Sequence, residues 1–393
     1  MNVLVDDSIE SLRADFSNGI YFYCNPFTSP DQTHYPHNPV CLAEGLRQLG
    51  IPVYSNVDAW QVSANDPTYL FRHEPDLKPS QCSAIVLDQG WIDVAKNEIP
   101  SDVFEPDRSY ATVYIDGSDG AITTSWRPGF RQFDLVLKIH MIEGLRYPDN
   151  FTPWVFGLSQ RMMNYIEAEQ GQTCHQKFHV NFRNTKNQHS LRSWMYRSFL
   201  KKIESILEVE EWYESFTPDE STYIGVQRYN DDTLYWMQTG RRHNPAYYKM
   251  LGQSLACACF GGFFVMPSFY SYATPFSVFS KRIFSKWVVP TSTIIQWDSW
   301  RLWESLFAGC ASFHADFDKY RFALPVKPEN WTHYVGVDCS NPQAAVERIA
   351  NEPDILHTIG QNGRQWVLEH YAPLPTAIRF LQMLRQRRSP STG

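Results

Sequence analysis

Between Gln296 and Cys310 the chain reads Gln-Trp-Asp-Ser-Trp-Arg-Leu-Trp-Glu-Ser-Leu-Phe-Ala-Gly-Cys. Asp298 and Ser299 stand where a helix would be capped, Arg301 and Glu304 follow three residues apart, and Ala308-Gly309-Cys310 is a small-residue stop. A carboxylate held inside an apolar helix start, here among Trp300, Trp303, Leu306 and Phe307, is costly unless something pairs with it. The hydroxyl groups of a ligand would serve, since a carboxylate accepts two donors at once. Two readings need no ligand: Glu304 pairs with Arg301 at i, i+3 on an exposed face, and Ser299 is an ordinary cap. His34, His37 and His140 carry imidazoles that titrate near neutral pH, the range suited to abstracting a hydroxyl proton, and Asp119 is a carboxylate for similar work. Each histidine could equally be a satisfied polar residue, and Asp119 a turn former in Asp116-Gly-Ser-Asp-Gly120.

Metal chemistry has little footing. His175 and His179 straddle a linker and a strand, and the Cys257/Cys259 pair lacks a second pair or a nearby histidine. The cysteines (24, 41, 82, 174, 257, 259, 310 and 339) are scattered, which suggests reduced, buried thiols.

These residues need strands and helices to hold them. Gly19 to Cys24 is a short β-rich run, followed by a loop and a helical pattern from Asn38, an N-cap candidate, to a stop at Gly50. Ile51 to Tyr54 resumes as a strand. The unit recurs: Ala84–Leu87 ends at Asp88, Ala111–Ile115 at Asp116, and Asp134–Ile139 at His140. Short apolar strands ending in polar loops predict a parallel sheet, with ligands at the carboxyl ends of the strands. After a helix over 160–170 and a linker at 169–173, Phe178–Phe182 starts a second series with Arg183 at its end and Arg192 entering the next helix. Strands are expected at 262–266, 292–296, 310–315 and 334–337, then helices over 341–351 and 355–384 with a turn near Tyr371-Ala-Pro373. The expected organisation is a first α/β domain over 1–170, a second over 171–365, and a C-terminal helix and basic tail over 366–393 that packs back on the first.

The 393 residues are 43% hydrophobic and 15% aromatic, enough for sizeable cores and unlike a disordered chain. A net charge of −7 argues against a nucleic-acid groove built on bulk basic charge. The start of the chain lacks a signal-peptide pattern, and no apolar run reaches membrane-spanning length. A cytoplasmic protein, or one peripheral to a membrane, is expected.

In order and spacing, Asp298-Ser-Trp-Arg-Leu-Trp-Glu304, Ala308-Gly-Cys310, Asp316 to Pro325, Trp331-Thr-His-Tyr-Val335 and Gly360-Gln-Asn-Gly-Arg-Gln-Trp-Val-Leu-Glu-His-Tyr371 resemble the C-terminal half of GT-B-fold glycosyltransferases. The likeness is nearest to the exostosin-like and CgeB-like (glycosyltransferase family 1-like) branches and covers roughly 290–385. It implies two Rossmann-like domains facing each other across a cleft, and metal-independent transfer of a hexosyl or related sugar from a nucleotide-diphosphate donor such as a UDP or GDP sugar. No cofactor is implied beyond that co-substrate. The acceptor (glycan, lipid, protein or small molecule), the base, the sugar and a homo-oligomer are left open.

By the same resemblance Glu304 accepts hydrogen bonds from the ribose, Ser299 and Trp300 sit at the nucleotide-sugar site, and Arg183, Arg192 and Arg301 are candidates to neutralise the diphosphate. His37, Asp119 and His140 are the catalytic or sugar-orienting candidates on the first domain. Such enzymes often carry an acid at the position of Gln296, in a glycine-rich loop absent here, so the sugar is unread. An epimerase or hydrolase of the same fold, and a non-catalytic carbohydrate-binding relative, are the alternatives.

Overall fold

The structure, a computed structural model, describes residues 3–25, 36–96, 98–121, 128–168, 175–182, 190–211, 230–239, 245–265 and 293–388. His34, Arg183, Cys174 and the expected linker at 169–173 lie outside the described residues.

The first half is built on β1 (Ile20–Tyr23), β2 (Val53–Ser55), β3 (Ala59–Ser63), β4 (Asp66–His73), β5 (Ala84–Asp88), β6 (Ala111–Asp116), β7 (Leu135–Lys138) and β8 (Phe151–Pro153). They form one sheet in the order β3-β4-β2-β1-β5-β6-β7-β8, parallel except for the β3–β4 hairpin. The apolar runs are continuous because both faces are buried. Ile20, Phe22, Val86 and Val113 pack on one face with α1 (Val3–Asp15) and α2 (His37–Gln48). Tyr21, Tyr23, Ile85, Leu87 and Tyr114 pack on the other with Phe130 and Phe133. Helix α2 starts before the expected cap: Asn38 lies inside it and donates to the Val155 carbonyl at 2.8 Å. The hairpin β3–β4 was not expected. A short α3 (Gln89–Val94) follows β5.

The chain leaves β8 through Trp154–Ser159 into α4 (Gln160–Ala168) and a second sheet. That sheet holds β9 (His175–Val180), β10 (Glu208–Glu211), β11 (Ser254–Ala258), β14 (Ala311–Ala315) and β15 (Val335–Val337) in the order β10-β9-β11-β14-β15, all parallel. Helix α5 (Ser190–Met195), which Arg192 enters as expected, continues through a π turn at Tyr196–Leu200; α6 (Asp231–Gln238) and α7 (Pro245–Gly252) precede β11. The strand over 293–296 does not join the parallel sheet: β12 (Phe263–Val265) and β13 (Thr293–Gln296) form a separate antiparallel ribbon feeding α8 (Trp300–Ala308). Gly309 closes α8 at φ 79°, a left-handed position that favours glycine. Helices α9 (Pro342–Asn351) and α10 (Ile355–Tyr371) complete this half. Helix α11 (Pro373–Arg388) returns to the first half, where Ala377, Phe380, Leu381 and Leu384 join its core. The architecture is two Rossmann-like α/β halves. The seven described cysteines are buried and form no disulfide among the described residues, and no helix of the described residues is long and apolar enough to cross a membrane.

Candidate functional site

Strand order reverses beside β1 in the first sheet and beside β9 in the second, the places where open parallel sheets leave crevices. Polar residues gather where the carboxyl ends of β6 and β7 meet the start of α8. Lys138, fully buried on β7, lies 3.5 Å from Asp116 and donates to the Gly120 carbonyl at 2.8 Å. Asp116 in turn accepts from the Ser118 amide at 3.1 Å. That buried pair fixes the 116–120 loop and sets Asp119, whose side chain is 73% exposed, 4.0 Å from His140 Nε2.

His140 reaches across to the second half. Its Nδ1 accepts from the amides of Trp297 at 3.2 Å and Asp298 at 3.1 Å. An amide can only donate, so Nδ1 holds the lone pair and the proton of the neutral ring sits on Nε2. Burial, with Lys138 and His314 nearby, pushes the imidazole well below its usual pKa and keeps it neutral. His140 is therefore a fixed N–H donor and not a base, and it ties down Trp297 and Asp298, just ahead of the helix start. Its backbone is held at φ 60°, a strained setting for a side chain of this size.

Asp298 is buried as well. Its Oδ2 accepts from the Phe156 amide at 2.9 Å and its Oδ1 from Trp303 Nε1 at 2.7 Å; burial raises its pKa to about 7. The N-cap is Ser299, which makes no side-chain cap bond. Trp300 stacks on His37 with ring centres 5.3 Å apart. His37 Nε2 faces the Gly157 carbonyl at 3.1 Å, so that nitrogen carries the proton, and burial lowers the ring's pKa to about 4. His37 thus joins the Trp154–Ser159 crossover to α8, in place of the exposed base that its loop position suggested. His314 lies behind, with Nε2 2.7 Å from the Trp297 carbonyl.

Glu304 is one turn deeper and 3% exposed, so the exposed ion pair with Arg301 is not formed. Tyr247 donates to its Oε2 at 2.8 Å and Tyr248 to its Oε1 at 3.2 Å. Burial raises its pKa, opposed by Tyr247, Arg301 and Tyr248. Two hydroxyls do meet this carboxylate, but both belong to the chain. Arg192 donates from Nε to the Phe260 carbonyl at 3.1 Å, at the reversal point of the second sheet.

Four side-chain atoms at this helix start are buried without a hydrogen-bond partner among the described residues: His140 Nε2, Gln296 Oε1, Ser299 Oγ and Arg301 Nε. Each such atom left unsatisfied costs about 1–3 kcal/mol, so four at one helix start call for partners beyond the described residues. Gln296, which sequence comparison set aside as a missing acid, is tightly placed: a Cβ at Gly262 would fall 1.8 Å from its Oε1. The paired glycines Gly261-Gly262 were the signal, since only a residue without a side chain admits that approach. Tyr247 and Tyr248 carried no signal apart from their aromatic class. The structure thus gathers His37, His140, Asp119, Ser299, Trp300 and Arg301 around one helix start, with Glu304 behind it and Arg192 to the side.

No protein-family model matches the chain, and no curated protein matches it. Among solved structures it is similar in outline to an alpha-glucosyltransferase in complex with UDP and a 13-mer DNA containing a HMU base, at 7% identity and TM-score 0.46 over 93% of this chain and 99% of that one. It is also similar to Anabaena HepE in complex with UDP, at 11% identity and TM-score 0.44 over 94% and 100%. The pneumococcal O-GlcNAc transferase GtfA in complex with UDP and GlcNAc shows 7% identity and TM-score 0.38 over 78% and 57%. At such identities and scores no residue's role passes from those proteins to this chain.

Proposed function

We propose that the chain is a glycosyltransferase that takes a sugar from a nucleotide-diphosphate donor at the start of α8 and passes it to an acceptor held by the first half, with no metal. The observation that carries the reading is the unpartnered cluster. His140 Nε2 and Arg301 Nε are donors, Gln296 Oε1 is an acceptor, and the Ser299 hydroxyl is both. A ligand that satisfies them needs charged or carbonyl-like oxygens beside hydroxyl groups, which is the chemistry of a sugar diphosphate. The positive end of α8 adds attraction for the phosphates.

In the reaction the bond from the anomeric carbon to the diphosphate oxygen breaks and negative charge builds on the departing diphosphate. Arg301 and the first-turn amides of α8 face that charge, in a site already ordered before reaction. His140, locked as a donor, orients the sugar or the leaving oxygen. Asp119, the exposed carboxylate beside it, takes the proton of the acceptor hydroxyl as the new bond to the anomeric carbon forms. The ribose hydroxyls reach Glu304 by displacing a tyrosine hydroxyl, and Arg192 borders the diphosphate.

Thermal stabilisation tests nucleotide binding: a ligand at a hundred times its Kd adds about 2.7 kcal/mol. UDP, GDP or their sugars should raise the melting temperature, and no shift with any of them removes the reading. Release of free nucleotide only when an acceptor is added then separates transfer from hydrolysis.

A further inference from the structure

We propose that the β3–β4 hairpin is a latch, holding the two halves together at the β3 edge of the first sheet and releasing to open the cleft. The inference is independent of what the cleft binds. The first sheet meets the second half at both edges. On the β7–β8 side the connection is the chain itself, with buried bonds: Phe156 to Asp298, Asn38 to Val155, and His140 to the start of α8. On the β3 side, among the described residues, it consists of contacts between residues about 100 to 180 positions apart in sequence.

Asp231 at the start of α6 accepts from the Ser63 hydroxyl at 2.9 Å and the Ala64 amide at 2.7 Å. Tyr235 donates to the Val62 carbonyl at 3.1 Å, and Gln238 to the Gln61 carbonyl at 3.2 Å. Arg161 of α4 lies over two rings, 4.2 Å from the centre of Trp60 on β3 and 3.5 Å from that of Tyr235 on α6. The guanidinium is the pin through the clasp.

Two features distinguish a latch from a fixed interface. The hairpin-tip bonds are polar and half-exposed, so water competes for each and none is strong alone. Trp60 is held at φ 62°, which a bulky side chain adopts only when its surroundings impose it. Arg161 lies on the Trp60 ring, so a hairpin released from Arg161 and α6 can settle into a second geometry. With the β3 edge free, the halves swing on the Trp154–Ser159 segment.

The test is Asp231→Ala in the full chain, read by hydrogen exchange and small-angle scattering. Residues 59–73 and 231–238 should lose protection together, by about tenfold or more, while β11 and β14 keep theirs and the radius of gyration grows. Arg161→Lys, which keeps the charge but loses the flat contact, should give an intermediate result. If only residues 63–66 exchange faster at an unchanged radius, the hairpin is surface decoration. If β11 and β14 loosen equally, it is part of the fixed core; either result overturns the latch. Ser63→Ala, which removes one of the two bonds to Asp231, serves if Asp231→Ala does not fold. Failure of nucleotide binding alone would leave these readings untouched.

Discussion

Asp298→Asn tests the electrostatics of the helix start. Asp298 is 3% exposed and its carboxyl is raised from 3.8 to about 7 by burial, against the pull of the Phe156 amide and the Trp303 indole. A rise of about three units, at 1.36 kcal/mol each, is about 4 kcal/mol between the two protonation states. The sign follows from proton counting. Between pH 4 and 7 the folded state holds a proton that the unfolded state has released, so the stability contribution is full below about pH 4 and is lost as pH rises towards 7. From pH 5 to 7.5 that loss is about 2.5 kcal/mol. Asparagine does not titrate, so the wild-type-minus-variant stability should fall by about that amount over this range, whatever constant offset the lost hydrogen bond adds. Parallel denaturant midpoints at four or five pH values measure it. Glu44, raised to about 7 and accepting from the Gln160 amide at 2.6 Å, adds a similar slope to both proteins and cancels in the difference. A difference that stays flat from pH 5 to 7.5 would refute the buried, protonatable carboxyl and with it the dry helix start.

Three further outcomes are expected. His140→Ala removes a bridge between the halves and should cost about 1–2 kcal/mol, measured by thermal melting, with weaker nucleotide binding; His140→Asn should restore part of the stability. Lys138→Met leaves the buried Asp116 without its cation and should cost about 3–5 kcal/mol, most of it recovered in Lys138→Met/Asp116→Asn. Glu304→Gln should fold, because an amide still accepts from one tyrosine, and should weaken UDP binding by about tenfold through the lost ribose contact. Unchanged affinity in a folded Glu304→Gln would reduce Glu304 to a core tie for Tyr247 and Tyr248.

The parallel strands were legible because burial on both faces leaves uninterrupted apolar runs such as Ala84–Leu87, and helix α8 because Ser299 and Gly309 bracket it. The β3–β4 hairpin was not. Most of its outer residues are exposed or half-buried, so Trp60-Gln-Val62 and Tyr69-Leu-Phe71 gave no clear period. Nor could the sequence show that His140 is a donor, since the amides that fix its tautomer lie 157 and 158 residues further on. Asp298 and Glu304 were recognisable as unusual acids, but apart from Trp303, five residues past Asp298, their partners Phe156, Tyr247 and Tyr248 are set by packing between segments far apart in the chain.

The central claim is that the start of α8 holds a nucleotide-diphosphate sugar. Equilibrium binding of UDP and GDP to wild type and to the Gln296→Ala/Ser299→Ala variant tests it directly. Wild type should bind one of them, and the variant, still folded with buried acceptors removed, should bind at least about tenfold more weakly, a loss of about 1.4 kcal/mol. Equal binding by both proteins would place the nucleotide elsewhere and contradict the account.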